Sequence, residues 1–323
     1  MFLSKHSVRV LRPLYPLFVK EGQTREIKRW VAPVLKEVNK RKKKMGPEPE
    51  RPRSSFIEWN YNAELFAFNK RLKEDMDLAK LQQAFVHRSY IIQEEQKQRA
   101  VGVQEPNIGL NGNRTLIQNG ETIINGYTEG FLKFFLPKMP ASLVASVQKQ
   151  LTSDQALAYL AENLGMGDLV LSSEFPLQEG TLADTFKAVV GSLLSSSGEE
   201  KAYTFVRDFV CTQLNQKDLA EWIEIEKPFE QLKEVCNGIN IGEPEPRLIG
   251  ESAKNTVLAA YNVGIYSDKK LIGSGFGESI ATAIDVAAYN ALRELWGFPE
   301  NMKPFDFNIQ IEKVSKMKVV NPS

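Results

Sequence analysis

The hydrophobic pattern of the chain changes at Pro228, and this change constrains the fold more than any other feature. Before it, from about Phe56, apolar residues recur every three to four positions, most clearly over 182–194. This spacing is typical of amphipathic helices, and no alternating strand of useful length interrupts it. The sequence therefore predicts an all-helical domain over residues 54–225.

A different pattern follows Pro228. An amphipathic helix is expected to end at Asn237-Gly238. The strand-like runs RLIGE, TVLAAYNVGIY and KLIGSGFG come next. The alternate glycines of the last run do not fit a dinucleotide-binding loop, and we interpret them as bulge or turn glycines. Residues 279–296 are alanine-rich and follow Ser279, a natural N-cap. An α-β-β-β-α domain is therefore predicted over residues 226–298, with a polar tail over 299–323.

Few residues support catalytic or metal chemistry. Cys211 and Cys236 form no CxxC pair and have no neighbouring histidine, so a zinc site and a disulfide framework are not indicated. No serine or cysteine has a plausible histidine base, so triad chemistry is not supported. His87 follows an apolar helical face, and a structural role with hydrogen bonds to local backbone is expected for it. No cofactor is predicted.

The charge of the chain is concentrated at its beginning. Residues 1–53 hold fifteen Lys or Arg and five Glu, whereas the remainder is acidic. Such an arm favours a polyanion as its partner, because Lys and Arg release counterions from phosphates; a solvated, disordered run is the alternative. Residues 41–55 are expected to form an extended linker. The residues expected to contact RNA here are Arg41, Lys42, Lys43, Lys44, Arg51 and Arg53.

The first twenty residues contain four basic residues and no acid. They have no continuous apolar segment followed by a small-residue cleavage site, so a secretory signal is not indicated. This composition favours an organellar transit peptide within the 1–53 segment, and an ordinary basic N-terminus is the alternative. No apolar run is long enough to predict a membrane span.

The motifs QAFVHRSY and LADTFKAVVGSLLSSSG, separated by a glycine-acid step and followed by the α-β-β-β-α module, resemble the ribonuclease III family. The likeness covers roughly residues 70 to 298. It implies a helical endonuclease domain followed by a double-stranded-RNA-binding domain. The family's helical domain dimerises, and the sequence leaves open whether this chain pairs with itself, with a related protein or with no partner.

The resemblance also implies a magnesium site of four carboxylates, which would activate water for phosphodiester cleavage. With Gly120 at the family's glycine, the first pair of positions holds Ile117 and Glu121, and the second holds Asp184 and Lys187. The alternative register on Gly126 offers no acid at all. Two of four carboxylates are thus replaced, one by a cation that repels Mg²⁺. We expect a remnant site without metal or catalysis.

The second module departs from the family in a similar way. Family members contact RNA through a Gly-Pro/His loop after the first strand and through lysines at the start of the last helix. Here the loop reads ESAKNT and the helix begins SIATAID. The remaining candidates for RNA contact are Lys254, Lys269 and Lys270. A protein-contacting or purely structural module is the alternative.

A ribonuclease III scaffold in which two of the four acids are replaced, carrying a basic arm and an organellar leader, resembles the ribonuclease III-like proteins of the mitochondrial large ribosomal subunit. The resemblance implies a structural component of that subunit in the mitochondrial matrix, bound to ribosomal RNA and to other ribosomal proteins. Two alternatives remain open: an active RNA-processing endonuclease, and a free double-stranded-RNA-binding cofactor.

Overall fold

The computed structural model describes residues 33–46, 51–74, 76–104, 108–215, 217–254 and 256–308. The chain divides into two units, residues 1–50 and 51–323, which are described separately. The predicted transit segment lies before residue 33 and the end of the predicted tail after residue 308, both outside the described residues. None of the helices in the described stretches is long and apolar enough to cross a membrane.

In the first unit, Pro33–Met45 forms helix α1, and all its side chains are exposed. The expectation of an extended arm is therefore wrong for residues 41–45. Proline at the first helical position sacrifices no hydrogen bond, and most of the residues that follow favour a helix. Glu37 adds ion pairs with Lys40 at 4.0 Å and Arg41 at 3.8 Å, at spacings that stabilise helices.

The second unit begins with the predicted helical domain. A short 3₁₀ helix, Arg53–Ser55, precedes eight α-helices, and two more 3₁₀ helices, Cys211–Leu214 and Leu219–Trp222, follow them. The helices are α2 (Tyr61–Leu72), α3 (Leu78–Phe85), α4 (Arg88–Ala100), α5 (Arg114–Phe135), α6 (Ala141–Leu151), α7 (Asp154–Asn163), α8 (Glu179–Ser197) and α9 (Glu199–Phe209). The helical fold class is thus confirmed. Both cysteines are buried free thiols, and burial raises the pKa of each.

Helix α8 forms the centre of this domain and contacts α3, α5, α7 and α9. Its apolar residues Phe186, Val189 and Leu193 are fully buried. Buried Thr185 donates its hydroxyl hydrogen to the Thr181 carbonyl at 2.8 Å, so no polar group is left unsatisfied there. Each buried large side chain contributes about 2 kcal/mol, which fixes α8 firmly in place.

The C-terminal module has the predicted α-β-β-β-α order: α10 (Pro228–Ile239), β1 (Glu245–Ser252), β2 (Ala260–Ser267), β3 (Lys270–Gly277) and α11 (Ile280–Trp296). Its antiparallel sheet has the strand order β1-β2-β3. Ser279 caps α11, as predicted, and it also forms a reciprocal capping box with Thr282. Helix α10 ends two residues later than expected, because Asn240 rather than Gly238 adopts the left-handed C-cap conformation.

The glycines of β3 have a packing role in addition to the predicted bulge, since the β2–β3 register shifts between Leu271 and Gly273. A Cβ atom on Gly273, Gly275 or Gly277 would collide with α11, mostly with the backbone around Ala283, Ala287 and Ala291. The glycines and the buried alanines therefore let the last helix lie directly on the strand.

The segment after α11 is not a polar tail as far as residue 308. Phe305 is buried, and its ring centroid lies 5.1 Å from that of Phe135 on α5. Phe307 stacks on Phe131 at 5.7 Å. The α11 residue Arg293 also pairs with Asp218 of the helical domain at 3.0 Å, and Tyr289 donates to the Ala220 carbonyl at 3.1 Å. Helix α11 and the chain after it thus both contact the helical domain.

Candidate functional site

The positions at which the resemblance places metal-binding carboxylates surround the crossing of α5 and α8. A Cβ atom on Gly120 would collide with the carbonyl oxygen of Lys187, and one on Gly191 would collide with that of Leu116. The two helix backbones are therefore in direct contact, which glycine alone permits. This crossing is built from residues that carry no chemistry themselves.

The same crossing bears on the choice of register. With Gly126 as the reference glycine, Ile123 and Tyr127 would occupy the two acid positions, and both are buried in the core. With Gly120 as the reference, the second position is Glu121, which is exposed at the surface. Solvent access favours the register on Gly120.

Three of the four positions hold charged side chains, and they lie together. Ile117 is half-buried and packs against the core, so it offers no ligand. The side chain of Lys187 is only 13% exposed. Its Nζ lies 3.1 Å from Oδ1 of Asp154 and 3.9 Å from Oδ1 of Asp184. The ammonium group therefore stands between two carboxylates.

The electrostatics of Asp184 reflect this arrangement. Its pKa is raised above the ordinary value, first because burial disfavours the charged carboxylate. The nearby charge of Lys187 acts in the opposite direction, whereas the carboxylates of Asp154 and Glu121 raise the pKa further. One ammonium group thus offsets only part of the cost of burying a carboxylate among acids.

The side chains at these four positions do not suit the Mg²⁺ ion that the resemblance implies. Mg²⁺ requires hard oxygen ligands, and Ile117 and Lys187 remove two of them. The remaining acids attract positive charge, and the ammonium group of Lys187 on α8 already supplies it. Across the described part of the chain, no group of three or more His, Cys, Asp or Glu residues is arranged to hold a metal. We derive no catalytic step from this site.

Asp154 is the site residue that sequence reasoning missed. It is the first residue of α7, after the N-cap Ser153, and its side chain is 64% exposed. An acid in the first turn of a helix is ordinarily interpreted as a residue that stabilises the helix dipole. Lys187 lies 33 residues away, and only the packing of α7 against α8 brings the two together. No local signal in the sequence indicates this pair.

His87 has the structural role that was predicted. It caps α4, and the backbone N–H of Ser89 donates to its Nδ1 at 3.3 Å. The hydroxyl of Ser89 lies 2.8 Å from the same nitrogen and 3.2 Å from the Ser172 hydroxyl. The ring therefore caps the start of α4, and the Ser89 hydroxyl links this cap to the loop before α8.

The predicted RNA-binding residues lie in separate regions. One group comprises Arg41, Lys42, Lys43 and Lys44 on the exposed α1. Arg51 and Arg53 begin the second unit. Arg53 is engaged within the chain, since its guanidinium lies 3.1 Å from Glu64 and 5.7 Å from the centre of the Trp59 ring. Its hydrogen bond to Glu64 raises the pKa of Arg53 further above its ordinary value.

The three lysines of the C-terminal module do not form one patch. Lys254 follows the end of β1, and its Nζ pairs with Glu251 at 3.2 Å. Lys269 lies in the turn between β2 and β3, with a left-handed backbone that suits a tight hairpin, and Lys270 begins β3. Eight-residue strands separate these two ends by roughly 25 Å. A single phosphate group cannot contact both ends.

Comparisons with known proteins agree with this architecture. A family described as large ribosomal subunit protein mL44, endonuclease domain, matches residues 60–193, and one described as the MRPL44 dsRNA-binding domain matches residues 223–323. The large ribosomal subunit protein mL44 of Caenorhabditis elegans is 31% identical over 274 residues, which cover 83% of this chain and 68% of that protein.

More distant relatives retain the ribonuclease name. Ribonuclease 3 of Symbiobacterium thermophilum is 25% identical over 185 residues, covering 54% of this chain and 74% of that protein. Among solved structures, the nuclease domain of ribonuclease III from Campylobacter jejuni aligns with 20% identity and a TM-score of 0.38. That alignment covers 47% of this chain and 96% of the other.

Proposed function

The chain belongs to the family of large ribosomal subunit protein mL44, and from this premise we propose that it is a structural, non-catalytic component of the mitochondrial large ribosomal subunit. In this role it binds ribosomal RNA and neighbouring ribosomal proteins in the matrix. The observation that carries the absence of catalysis is the ammonium group of Lys187 between Asp154 and Asp184. A family endonuclease requires Mg²⁺ at that place.

The basic residues supply the RNA contacts in this proposal. In a helix with 3.6 residues per turn, Lys36, Lys40 and Lys43 share one face of α1, and Lys44 borders it. The exposed apolar residues Val34, Val38 and Met45 lie on the opposite face. The basic face suits a phosphate backbone, which binds Lys and Arg regardless of sequence.

The other proposed contacts differ in strength. Arg51 lies beside Arg53 at the start of the second unit, and both remain candidates, although Glu64 competes for Arg53. Lys269 and Lys270 project from the hairpin turn and form no ion pair among those seen in the described residues. Lys254 is the weakest candidate, because Glu251 already neutralises it.

Sedimentation tests the ribosomal role directly. Mitochondrial lysate is run on sucrose gradients at low and at high salt, and the chain is followed beside large-subunit ribosomal RNA. We expect it to remain with the large subunit after the high-salt wash, since an integral protein makes many contacts at once. A chain that runs free, or that cleaves duplex RNA with Mg²⁺ when purified, would contradict the proposal.

A matched pair of variants tests the basic face of α1. Lys40→Gln with Lys43→Gln removes two charges from the proposed face, and Arg41→Gln with Lys42→Gln removes two charges that flank the opposite, apolar face. Each pair includes one partner of Glu37. Binding to purified large-subunit RNA is measured over a range of salt concentrations. The first pair should lower the salt slope by about 2 and the second by less; equal slopes would contradict the helical face.

A further inference from the structure

A cleft of about 410 Å³ lies between α6, α7 and the two 3₁₀ helices that follow α9. Gln150 of α6, Tyr159 of α7 and Gln213 of the first of these 3₁₀ helices line it. Trp222, at the end of the second 3₁₀ helix, forms another part of its wall. The volume is within the range that small-ligand sites occupy. Four segments of the helical domain thus line one cleft.

The wall that carries Trp222 is held in place by the rest of the chain. Trp222 is half-buried and packs against the core. Two residues earlier, the carbonyl of Ala220 accepts a hydrogen bond from the Tyr289 hydroxyl at 3.1 Å, and Asp218 pairs with Arg293 at 3.0 Å. Contacts that fix a wall in advance reduce the entropy lost when a ligand binds. The cleft is therefore formed before a ligand enters it.

The aromatic and amide side chains of the cleft suit a nucleobase. Tyr159 is 60% exposed, which leaves its ring accessible for a base to stack on. Gln150, Gln155 and Gln213 add amide groups, which can both donate and accept hydrogen bonds at the edge of a base. Within a duplex, the faces and pairing edges of a base are already engaged, whereas an unpaired base presents both. The cleft therefore suits an unpaired nucleotide.

The charges at the cleft favour the phosphate group of such a nucleotide. None of the nine described residues that line it is acidic, and Lys217 is the one cation among them. The ammonium group of Lys217 lies 5.2 Å from the centre of the Trp222 ring, and this contact holds it at the cleft. Asp154 and Asp218 neighbour lining residues in sequence, but both pair with cations that do not line the cleft. The lining thus favours an anionic ligand.

We infer that this cleft binds an unpaired nucleotide of ribosomal RNA. The base stacks on Tyr159, its edge contacts the glutamine amides, and the phosphate group pairs with Lys217. The inference rests on the proposed function and deepens it, because it names the form of RNA that the helical domain binds. Stacking accepts any base, so the cleft holds an RNA strand with little preference for its sequence.

RNA binding by the purified full chain tests the inference. The probes are a short fluorescein-labelled single-stranded RNA and the duplex formed from the same strand, and fluorescence anisotropy measures both affinities. Tyr159→Ala should weaken single-strand binding about tenfold and change duplex binding by less than about twofold. Tyr159→Phe keeps the ring and should bind like the parent. Unchanged single-strand affinity of Tyr159→Ala, or equal losses for both RNAs, would overturn the inference.

Two further variants separate the cleft from other exposed aromatic and basic residues. Phe66→Ala is the matched control, because Phe66 on α2 is also exposed and Lys70 lies over its ring at 5.7 Å. It should change single-strand affinity by less than about twofold, and a loss equal to that of Tyr159→Ala would contradict the assigned site. Lys217→Gln should lower the salt slope of single-strand binding by about 0.7. An unchanged slope would overturn the proposed phosphate contact.

Photo-crosslinking in assembled subunits distinguishes this inference from the proposed function. Tyr159 is replaced by p-benzoylphenylalanine in the full chain, and salt-washed large subunits are purified and irradiated. We expect a crosslinked product that ribonuclease shortens to the size of the chain. A crosslink to a polypeptide, or none in subunits that contain the chain, would overturn the inference and leave the ribosomal role intact. A chain absent from the large subunit would overturn the proposed function, whereas the anisotropy measurements would still show whether the cleft binds unpaired RNA.

Discussion

The two domains differ at the surfaces where the resemblance to ribonuclease III predicts a metal site or an RNA contact. In the helical domain, Lys187 is nearly buried, and Asp154 and Asp184 balance its charge. In the C-terminal module, Val257 and Leu258 extend into solvent with nothing in the described chain covering them. A charged group that is paired inside the chain contributes to the scaffold, whereas an exposed apolar side chain can bury its surface only against another molecule. We call the surface around Lys187, Asp154 and Asp184 the closed surface, because its charges are paired within the chain. We call the β1–β2 loop at Val257 and Leu258 the open surface, because its apolar side chains are exposed.

Both domains keep the contacts that hold their scaffolds together. Gly120 and Gly191 bring the α5 and α8 backbones together, and Gly275 does the same for β3 and α11. Such contacts depend on the absence of a side chain, so they persist independently of any charge at the surface. The comparison therefore separates residues that fold the chain from residues that bind partners.

The largest effect is expected at the closed crossing. Gly120→Ala places a methyl group against the Lys187 carbonyl, and the free energy of unfolding should fall by about 3 kcal/mol. Gly180→Ala on α8 is the control, because its added methyl group meets nothing, and it should raise stability by about 0.5 kcal/mol. Urea unfolding measures both. Equal stability of Gly120→Ala and the parent chain would show that the helices do not cross so closely.

The ion pairs of the closed surface come next. Lys187→Glu brings a third carboxylate between Asp154 and Asp184, and the free energy of unfolding should fall by about 2 kcal/mol at low salt. Lys133→Glu on α5 disrupts the exposed pair with Glu129 and should cost below about 1 kcal/mol. High salt screens the charges, so it should reduce the difference in unfolding free energy between Lys187→Glu and Lys133→Glu. Equal losses would mean that Lys187 is no more enclosed than a surface lysine.

The sequence predicted those parts of the molecule that follow from local patterns. The apolar stripe of α8 and the capping residue Ser279 are local signals, and the structure contains both elements. The Lys187–Asp154 pair depends on how α7 packs against α8, so no spacing reveals it. Phe305 was missed for the same reason, because its short aromatic segment has no periodicity and acquires meaning only against α5.

A smaller effect is expected when the charge of Asp184 is removed. Its raised pKa means that the folded chain holds this proton more tightly than the unfolded chain does. The resulting stabilisation is complete below the ordinary pKa of 3.8 and is lost as the pH rises through the folded-state pKa. Asp184→Asn should therefore exceed the parent in stability at pH 7, by less than about 1 kcal/mol because the group is partly exposed.

The gap between Asp184→Asn and the parent should close as the pH is lowered to 3.5. Urea unfolding at pH 7, 5 and 3.5 measures this difference in unfolding free energy. The other acidic residues are present in both chains, so their titration contributes equally to both and cancels. A variant less stable than the parent at pH 7 would mean that attraction to Lys187 outweighs the cost of burying the carboxylate. In that case the closed surface would be a stabilising ion-pair network.

The smallest effect on stability is expected at the open surface. Val257→Ser with Leu258→Ser changes side chains that contact solvent in the free chain, so the free energy of unfolding should stay within about 0.5 kcal/mol of the parent. The same variant should weaken docking to the large subunit, whereas Lys187→Glu should cost stability without weakening docking of the molecules that remain folded. Measuring unfolding and subunit association for both variants tests the distinction between a closed and an open surface. Loss of stability in the Val257→Ser, Leu258→Ser chain would mean that the loop packs within the chain, and the surface would then be closed as well.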